Sequence, residues 1–395
     1  MNILVTTIFD YPHEGGLSSH VTTLKKGLEA RGHHVDVLSF TQLPNLKKKL
    51  FAQGPGYVMN RFSPGKGQLM NDLQRRKLLE QAIKHQAASY DVINSQDVFS
   101  TLASLQSGIP VVATIHGYYA YEAISRGAVQ SDSETANNIR SYEQQAYRSA
   151  NANITVDQRI RDYVKETSGA DAHVVRNFID TEQFLNSSTQ LQAAREKYNI
   201  PIDHTMLFVP RRLTEKNGVI YPLLALKEVV KQHPETALVY AGTGEQMTNM
   251  KQKIIDLNLE KHVYLLGSVP HGDMVELYQT ASIVLIPSVH SHGVEEATSI
   301  SALEAMGSGT PVIAGAVGGL KELITHQEDG LLFGDRDEQE LSKHISYLIE
   351  HKEAADTLSQ AAQMKIRSSF SHLAAAERFE KTYSDAVEQQ STRSN

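Results

Sequence analysis

Cysteine is missing from all 395 residues, so disulfides and thiolate metal sites are excluded, as suits a reducing compartment. Long apolar runs are missing too, and none approaches the ~20 residues a membrane-spanning helix needs. The opening Met1-Asn-Ile-Leu-Val-Thr-Thr7 has neither the basic nor the apolar region of a secretory leader. A cytoplasmic protein is expected on these grounds, with peripheral contact at the inner face of a membrane left open. Positive charge is not in surplus: 38 Lys and Arg against 45 Asp and Glu give a net charge of −7, which argues against a nucleic-acid partner. The dinucleotide fingerprint Gly-x-Gly-x-x-Gly is absent from the first glycine loop, Glu14-Gly-Gly-Leu-Ser-Ser19, which weakens any NAD reading.

What is present is alternation. The length suits two domains of about 150–200 residues each. In the first half, short apolar runs at Ile3–Thr7, Val35–Ser39, Val92-Ile93, Val111–Ile115, Ile154–Val156 and Val174-Val175 are separated by helical spacing. The second half repeats the pattern at Met206–Val209, Ala237–Tyr240, Val263–Leu266, Ile283–Ile286, Val312–Ala314 and Gly330–Phe333. Runs of this kind predict an α/β chain of two doubly wound, Rossmann-like parallel sheets. The polar run Asn186-Ser-Ser-Thr-Gln190 places the crossing between them, giving domains 1–180 and 181–369. A final helix over 370–390 is expected to return to the first domain, with Ser391–Asn395 frayed.

Ligands of such sheets bind beyond the carboxyl ends of the strands. One stretch there stands out, Glu296-Ala-Thr-Ser-Ile-Ser-Ala-Leu-Glu304-Ala-Met-Gly-Ser-Gly-Thr-Pro311. Thr298, Ser299 and Ser301 can each cap a helix start, and Gly307, Gly309 and Pro311 end it. Free amides at that start attract a phosphate, while Glu296 and Glu304 suit hydroxyls flanking it, as on a ribose and a hexose. The competing reading is a capping box, in which Glu304 only bonds the amides above Ser301. A second constellation, Pro210-Arg211-Arg212-Leu-Thr-Glu-Lys216-Asn217-Gly218, clusters cations after a strand, where a leaving diphosphate is their natural partner. Gly15, Gly16 and His116 also sit just past strand ends. Tyr118, Tyr119 and Tyr121 either line an acceptor pocket or pack.

Other features read as structural. Asp335-Arg-Asp337 has the form of a metal motif and is read as a helix start. His290, His292, Glu295 and Glu296 crowd one loop as hydroxyl binders and solvated groups more readily than as metal ligands, so no metal is expected. Gly242-Thr-Gly244 follows a strand, but Met247 breaks the dinucleotide pattern. The basic runs Leu46–Phe51 and Arg75–Leu79 are read as solvated faces rather than a membrane surface.

Taken with Thr114-Ile-His116-Gly117, Arg176-Asn177-Phe-Ile-Asp180, Gly267-Ser-Val269 and Gly318-Gly-Leu-Lys-Glu322, these motifs resemble the retaining glycosyltransferases of the GT-B fold. That large family includes sucrose synthases and bacterial glucosyl- and mannosyltransferases. The resemblance implies two domains facing a cleft and metal-free transfer of a hexose from a nucleotide diphosphate sugar, a UDP-sugar ahead of a GDP-sugar. The sugar would pass to a carbohydrate, lipid or protein-linked hydroxyl; no separate cofactor is implied, and the oligomeric state is left open. Retention would follow from attack on the face the diphosphate leaves. By the same resemblance, Gly15 and Gly16 approach the diphosphate, and Arg211 with Lys216 hold it beside Arg212, Thr298, Ser299 and Ile300. Glu296 grips the transferred sugar, Glu304 the ribose, the backbone at Val269 the base, and His116 the reacting face. Ala297 stands where the family commonly has glycine, and Pro-Arg-Arg replaces its commoner Gly-Arg, so Arg212 is an alternative to Arg211 and Glu295 to Glu296. An epimerase or phosphorylase on the same architecture, or a degenerate sugar-nucleotide-binding protein, is the rival reading. Glu296→Ala is expected to abolish transfer with the fold intact. Wild-type-like turnover, alongside an unchanged circular dichroism spectrum, would refute the role of Glu296.

Overall fold

The structure is a computed structural model, which describes residues 1–13, 16–43, 66–125, 129–131, 133–184, 193–291 and 298–394. Gly15, Glu295, Glu296, His292 and the Leu46–Phe51 run therefore lie outside the described residues. The chain divides into two compact units, Met1–Asn177 with His372–Asn395, and Phe178–Ser371.

The first unit carries a parallel sheet of β1 (Asn2–Thr6), β2 (His34–Leu38), β3 (Val92–Ser95), β4 (Val111–Ile115), β5 (Ala152–Thr155) and β6 (His173–Val174). Its spatial order is β2-β1-β3-β4-β5-β6. The second carries β7 (Thr205–Val209), β8 (Thr236–Ala241), β9 (Val263–Gly267), β10 (Ile283–Ile286), β11 (Val312–Gly315) and β12 (Leu331–Phe333), ordered β12-β11-β10-β7-β8-β9. All pairings between these strands are parallel. Every expected run has become a strand. The cause is burial on both faces by crossover helices, which selects continuous Val, Ile and Leu. Every residue of β4 and of β10 is buried.

Local chemistry sets the helix limits. Asp97 caps Val98–Ser104 by accepting from Ser100 N at 2.7 Å, and Asp157 caps Gln158–Ser168 through Ile160 N at 2.8 Å. The last helix runs from His372 to Ser394. Its register is held against the first unit by Arg31, whose Nε donates to Glu380 at 2.6 Å, and by Gln390, which donates to the Gly108 carbonyl at 2.7 Å.

The basic run at Arg75 also departs from expectation. Arg75 does not face solvent: its guanidinium lies 4.2 Å from the Phe40 ring centre, and Nη1 donates to the Ile8 carbonyl at 3.2 Å. The ring face and the carbonyl replace water for this cation.

Candidate functional site

In the second unit the chain passes from β7 to β8 and β9 on one side, then crosses to β10, β11 and β12 on the other. β7 and β10 are neighbours whose following loops part company, and the carboxyl end of such a pair is where open α/β sheets bind ligands. Arg211 lies two residues beyond the end of β7. Its guanidinium is buried, with Nη1 donating to Ser299 Oγ at 2.8 Å and Nη2 to Asn217 Oδ1 at 2.6 Å and Ser288 Oγ at 3.0 Å. These three oxygens come from neutral side chains and orient the guanidinium.

Two tight backbone approaches hold the loop that presents it. Gly218 sits at φ +61° with its α-carbon against the Pro287 carbonyl, where any side chain would collide. The Gly242-Thr-Gly244 turn packs against the backbone of Arg211 and Leu213, and Leu213 N donates to Thr243 O at 3.0 Å. That glycine pair thus serves close packing. Lys216 falls in the 3-10 turn Glu215–Asn217 with its side chain exposed, and its carbonyl accepts from Val289 N at 3.0 Å. Arg212 is exposed beside it.

The helix Ile300–Gly307 starts at the same end of the sheet, with Ser299 as its cap. Ser299 Oγ accepts from Ala302 N at 3.4 Å, so the capping box anticipated at Ser301 is not the one used. Glu304 lies two residues beyond the position such a box needs. Its Oε2 accepts instead from the Tyr278 hydroxyl at 2.9 Å. Burial pushes the Glu304 carboxyl up to about 7, and the bond from Tyr278 opposes that rise. Thr298 is buried next to Ser299, and Ile300 is half-buried. Val269 follows β9, two strands away from β7.

In the first unit, Gly16 opens the helix Gly16–Ala30, and an added Cβ there would meet nothing within 4 Å. His116 immediately follows β4. Its Nε2 lies 2.9 Å from Gln96 Oε1, and the His20 ring stands at 86° to it with centres 4.6 Å apart. Burial pushes His116 down to about 4, so the imidazole is neutral. Burial, then the nearby His116 ring, also lowers His20 well below the ordinary value. A cavity of about 160 Å³ opens beside His116, lined among others by Phe9, Gln96, Thr114, Tyr119 and Glu122. Tyr119 both packs and bonds. Its ring meets Phe99 edge-on at 5.5 Å, and its hydroxyl donates to Asp72 at 2.5 Å.

The remaining acidic features have structural duties. Asp335 Oδ1 accepts from His290 N at 3.0 Å, and Asp337 caps the helix Glu338–Glu350 through Glu340 N at 2.8 Å.

The family described as Glycosyl transferases group 1 matches residues 191–365, and Glycosyltransferase Family 4 matches residues 14–183. Both halves of the chain thus match glycosyltransferase families. An uncharacterized glycosyltransferase of Methanocaldococcus jannaschii is 29% identical over 350 residues, 84% of each chain. The glycogen synthase of Mycobacterium tuberculosis is 26% identical, covering 94% of this glycosyltransferase and 91% of that protein. Among solved structures, a Rickettsia africae glycosyltransferase aligns with a TM-score of 0.74 at 18% identity, over 98% of both chains. Anabaena HepE in complex with UDP aligns at 0.70 with 22% identity, over 97% of this chain and 100% of that one. These likenesses give the GT-B fold.

Sequence patterns pointed to Arg211 and Glu304 of this glycosyltransferase but not to the groups that hold them. Tyr278 and Ser288 are buried in stretches with no motif; Asn217 stood inside a quoted motif without an assigned role. Tyr278→Phe removes the donor that lowers Glu304, so the Glu304 pKa is expected to rise above about 7. Carboxyl carbon NMR against pH reads that shift, and an unchanged titration would disprove the coupling. The raised carboxyl makes its full contribution to stability below the unfolded value of 4.5 and loses it as pH rises through about 7. Glu304→Gln should therefore flatten this decline in denaturation midpoints.

Proposed function

We propose that this glycosyltransferase moves a hexose from a nucleotide diphosphate sugar, with uridine as the base, to an acceptor hydroxyl, retaining the anomeric configuration and needing no divalent metal. The observation that carries the reading is the Arg211 guanidinium bonded to Ser299, the cap of the helix that bears Glu304. A buried cation and the free amides of a helix start converge where a diphosphate gains charge as it leaves, and such preorganised charge is the largest common source of rate enhancement. Lys216 adds a mobile charge from the exposed turn beside it. These groups supply the charge neutralisation that a metal ion would otherwise give. The Anabaena structures with UDP and with UDP-glucose support a uridine donor.

Glu304 accepts from ribose hydroxyls and Glu296 from hydroxyls of the transferred hexose. Backbone near Val269 meets the base, and Gly16 leaves room for the diphosphate on the first unit. In the reaction the anomeric carbon–oxygen bond to the diphosphate breaks, and the acceptor oxygen bonds that carbon on the same face. The acceptor proton passes to the leaving phosphate oxygen. Neutral His116 bounds the reacting face, where its ring or main chain stabilises the developing oxocarbenium ion. The relatives include proteins named for glycogen, inositol 3-phosphate and diacylglycerol products or substrates, so the acceptor here is given only as a hydroxyl of a carbohydrate, lipid or protein-linked glycan.

Arg211→Met is expected to lower kcat by ~10²–10³-fold, the usual cost of one preorganised donor. UDP release from a UDP-hexose in the presence of acceptor measures it. Transfer should persist in EDTA, and proton NMR of the product should show the donor's anomeric configuration. An EDTA-silenced enzyme or an inverted product would overturn the assignment.

A further inference from the structure

We infer that Asn94 and Gln96 are positioning residues that fix His116 in a single tautomer, with the proton on Nε2 and the lone pair on Nδ1. One group among these bonds has a role that admits no choice, the main-chain carbonyl of Val112. Asn94 Nδ2 lies 3.0 Å from that oxygen and 2.8 Å from Thr114 Oγ1. A carbonyl can only accept, so the Asn94 amide must present its nitrogen there and its oxygen on the other side. Asn94 Oδ1 lies 2.5 Å from Gln96 Nε2. That contact fixes the second amide in the same way, leaving Gln96 Oε1 toward His116. The imidazole nitrogen 2.9 Å from this oxygen must then carry the hydrogen.

Burial makes the sequence of bonds binding. Asn94, Gln96 and Thr114 are all buried, where a mispaired amide costs about 1–3 kcal/mol. Asn94 lies within β3, Gln96 is the next residue but one, and Val112 and Thr114 lie within β4, its paired neighbour. The relay therefore rests on sheet register, not on loop conformation. Pairing of Asn94 with Val112 across the two strands puts the first donor in place, and His116 lies one residue beyond β4.

The consequence is chemical. His116 is neutral, so one ring nitrogen donates and the other accepts. With Nε2–H committed to Gln96, Nδ1 keeps an unprotonated lone pair. A hydroxyl that reaches it donates a hydrogen bond to the ring and cannot receive one. Geometry puts the proton on Nε2, and burial of the ring keeps Nδ1 unprotonated; the effect on turnover rests on the proposed transfer reaction.

The test uses full-length protein labelled with ¹⁵N-histidine, without substrate, and reads long-range ¹H–¹⁵N correlations. The wild type should show His116 solely in the Nε2–H form at neutral pH. Gln96→Leu should lose that preference. In the transfer assay Gln96→Leu should lower kcat by about 10- to 100-fold, as removal of a group orienting an imidazole commonly does. A wild-type spectrum with the proton on Nδ1, or a folded Gln96→Leu protein with an unchanged tautomer, would overturn the inference even if transfer proceeds. Absence of any transfer alongside the expected spectra would instead count against the reaction and leave the relay standing.

Discussion

The second unit is organised around a cation that water cannot reach easily. Taking a guanidinium out of water is costly unless its donors are occupied. Arg211 Nη1 and Nη2 reach two hydroxyls and an amide oxygen from three separate segments, the turn after β7, the loop after β10 and the cap of the next helix. The crossover from β9 to β10 makes this convergence possible, because it returns the chain to the other side of β7. Binding strands β7 and β10 in register thus also sets the distance between a charge and a helix start.

Glu304 obeys the same constraint with opposite sign. It too is buried, and its carboxyl is raised to about 7 because burial disfavours the charged form more than one hydroxyl donor can offset. A group in that state is ready to ionise when further donors arrive. Sugar hydroxyls are such donors. The second unit therefore holds a buried positive charge and, on the helix it is bonded to, a buried carboxyl close to its point of ionisation.

The strands were legible in the sequence because parallel sheets covered on both faces leave unbroken apolar runs at each one. The second unit's motif residues were legible as positions, since phosphate chemistry puts cations and helix caps after strand ends. Their partners were not. Arg211 and Ser299 are 88 residues apart, Glu304 and Tyr278 are 26 apart, and no local periodicity records such pairings. Arg75 misled for a related reason: a cation stacked on Phe40 has the same sequence signature as one in water. The capping box at Ser301 failed because two nearby residues were equally able to cap, and packing chose Ser299.

The last helix bears on the order in which the two units can fold. His372–Asn395 completes the unit that begins at Met1, while Phe178–Ser371 is continuous and has its own ends side by side through the Ile179–Ser371 bridge. During translation the interior unit has all of its residues before the terminal one does. The usual vectorial order, in which the amino-terminal domain matures first, is thereby reversed for final closure. Residues 1–177 therefore gain the helix that completes their unit only after the interior unit is in place in the chain.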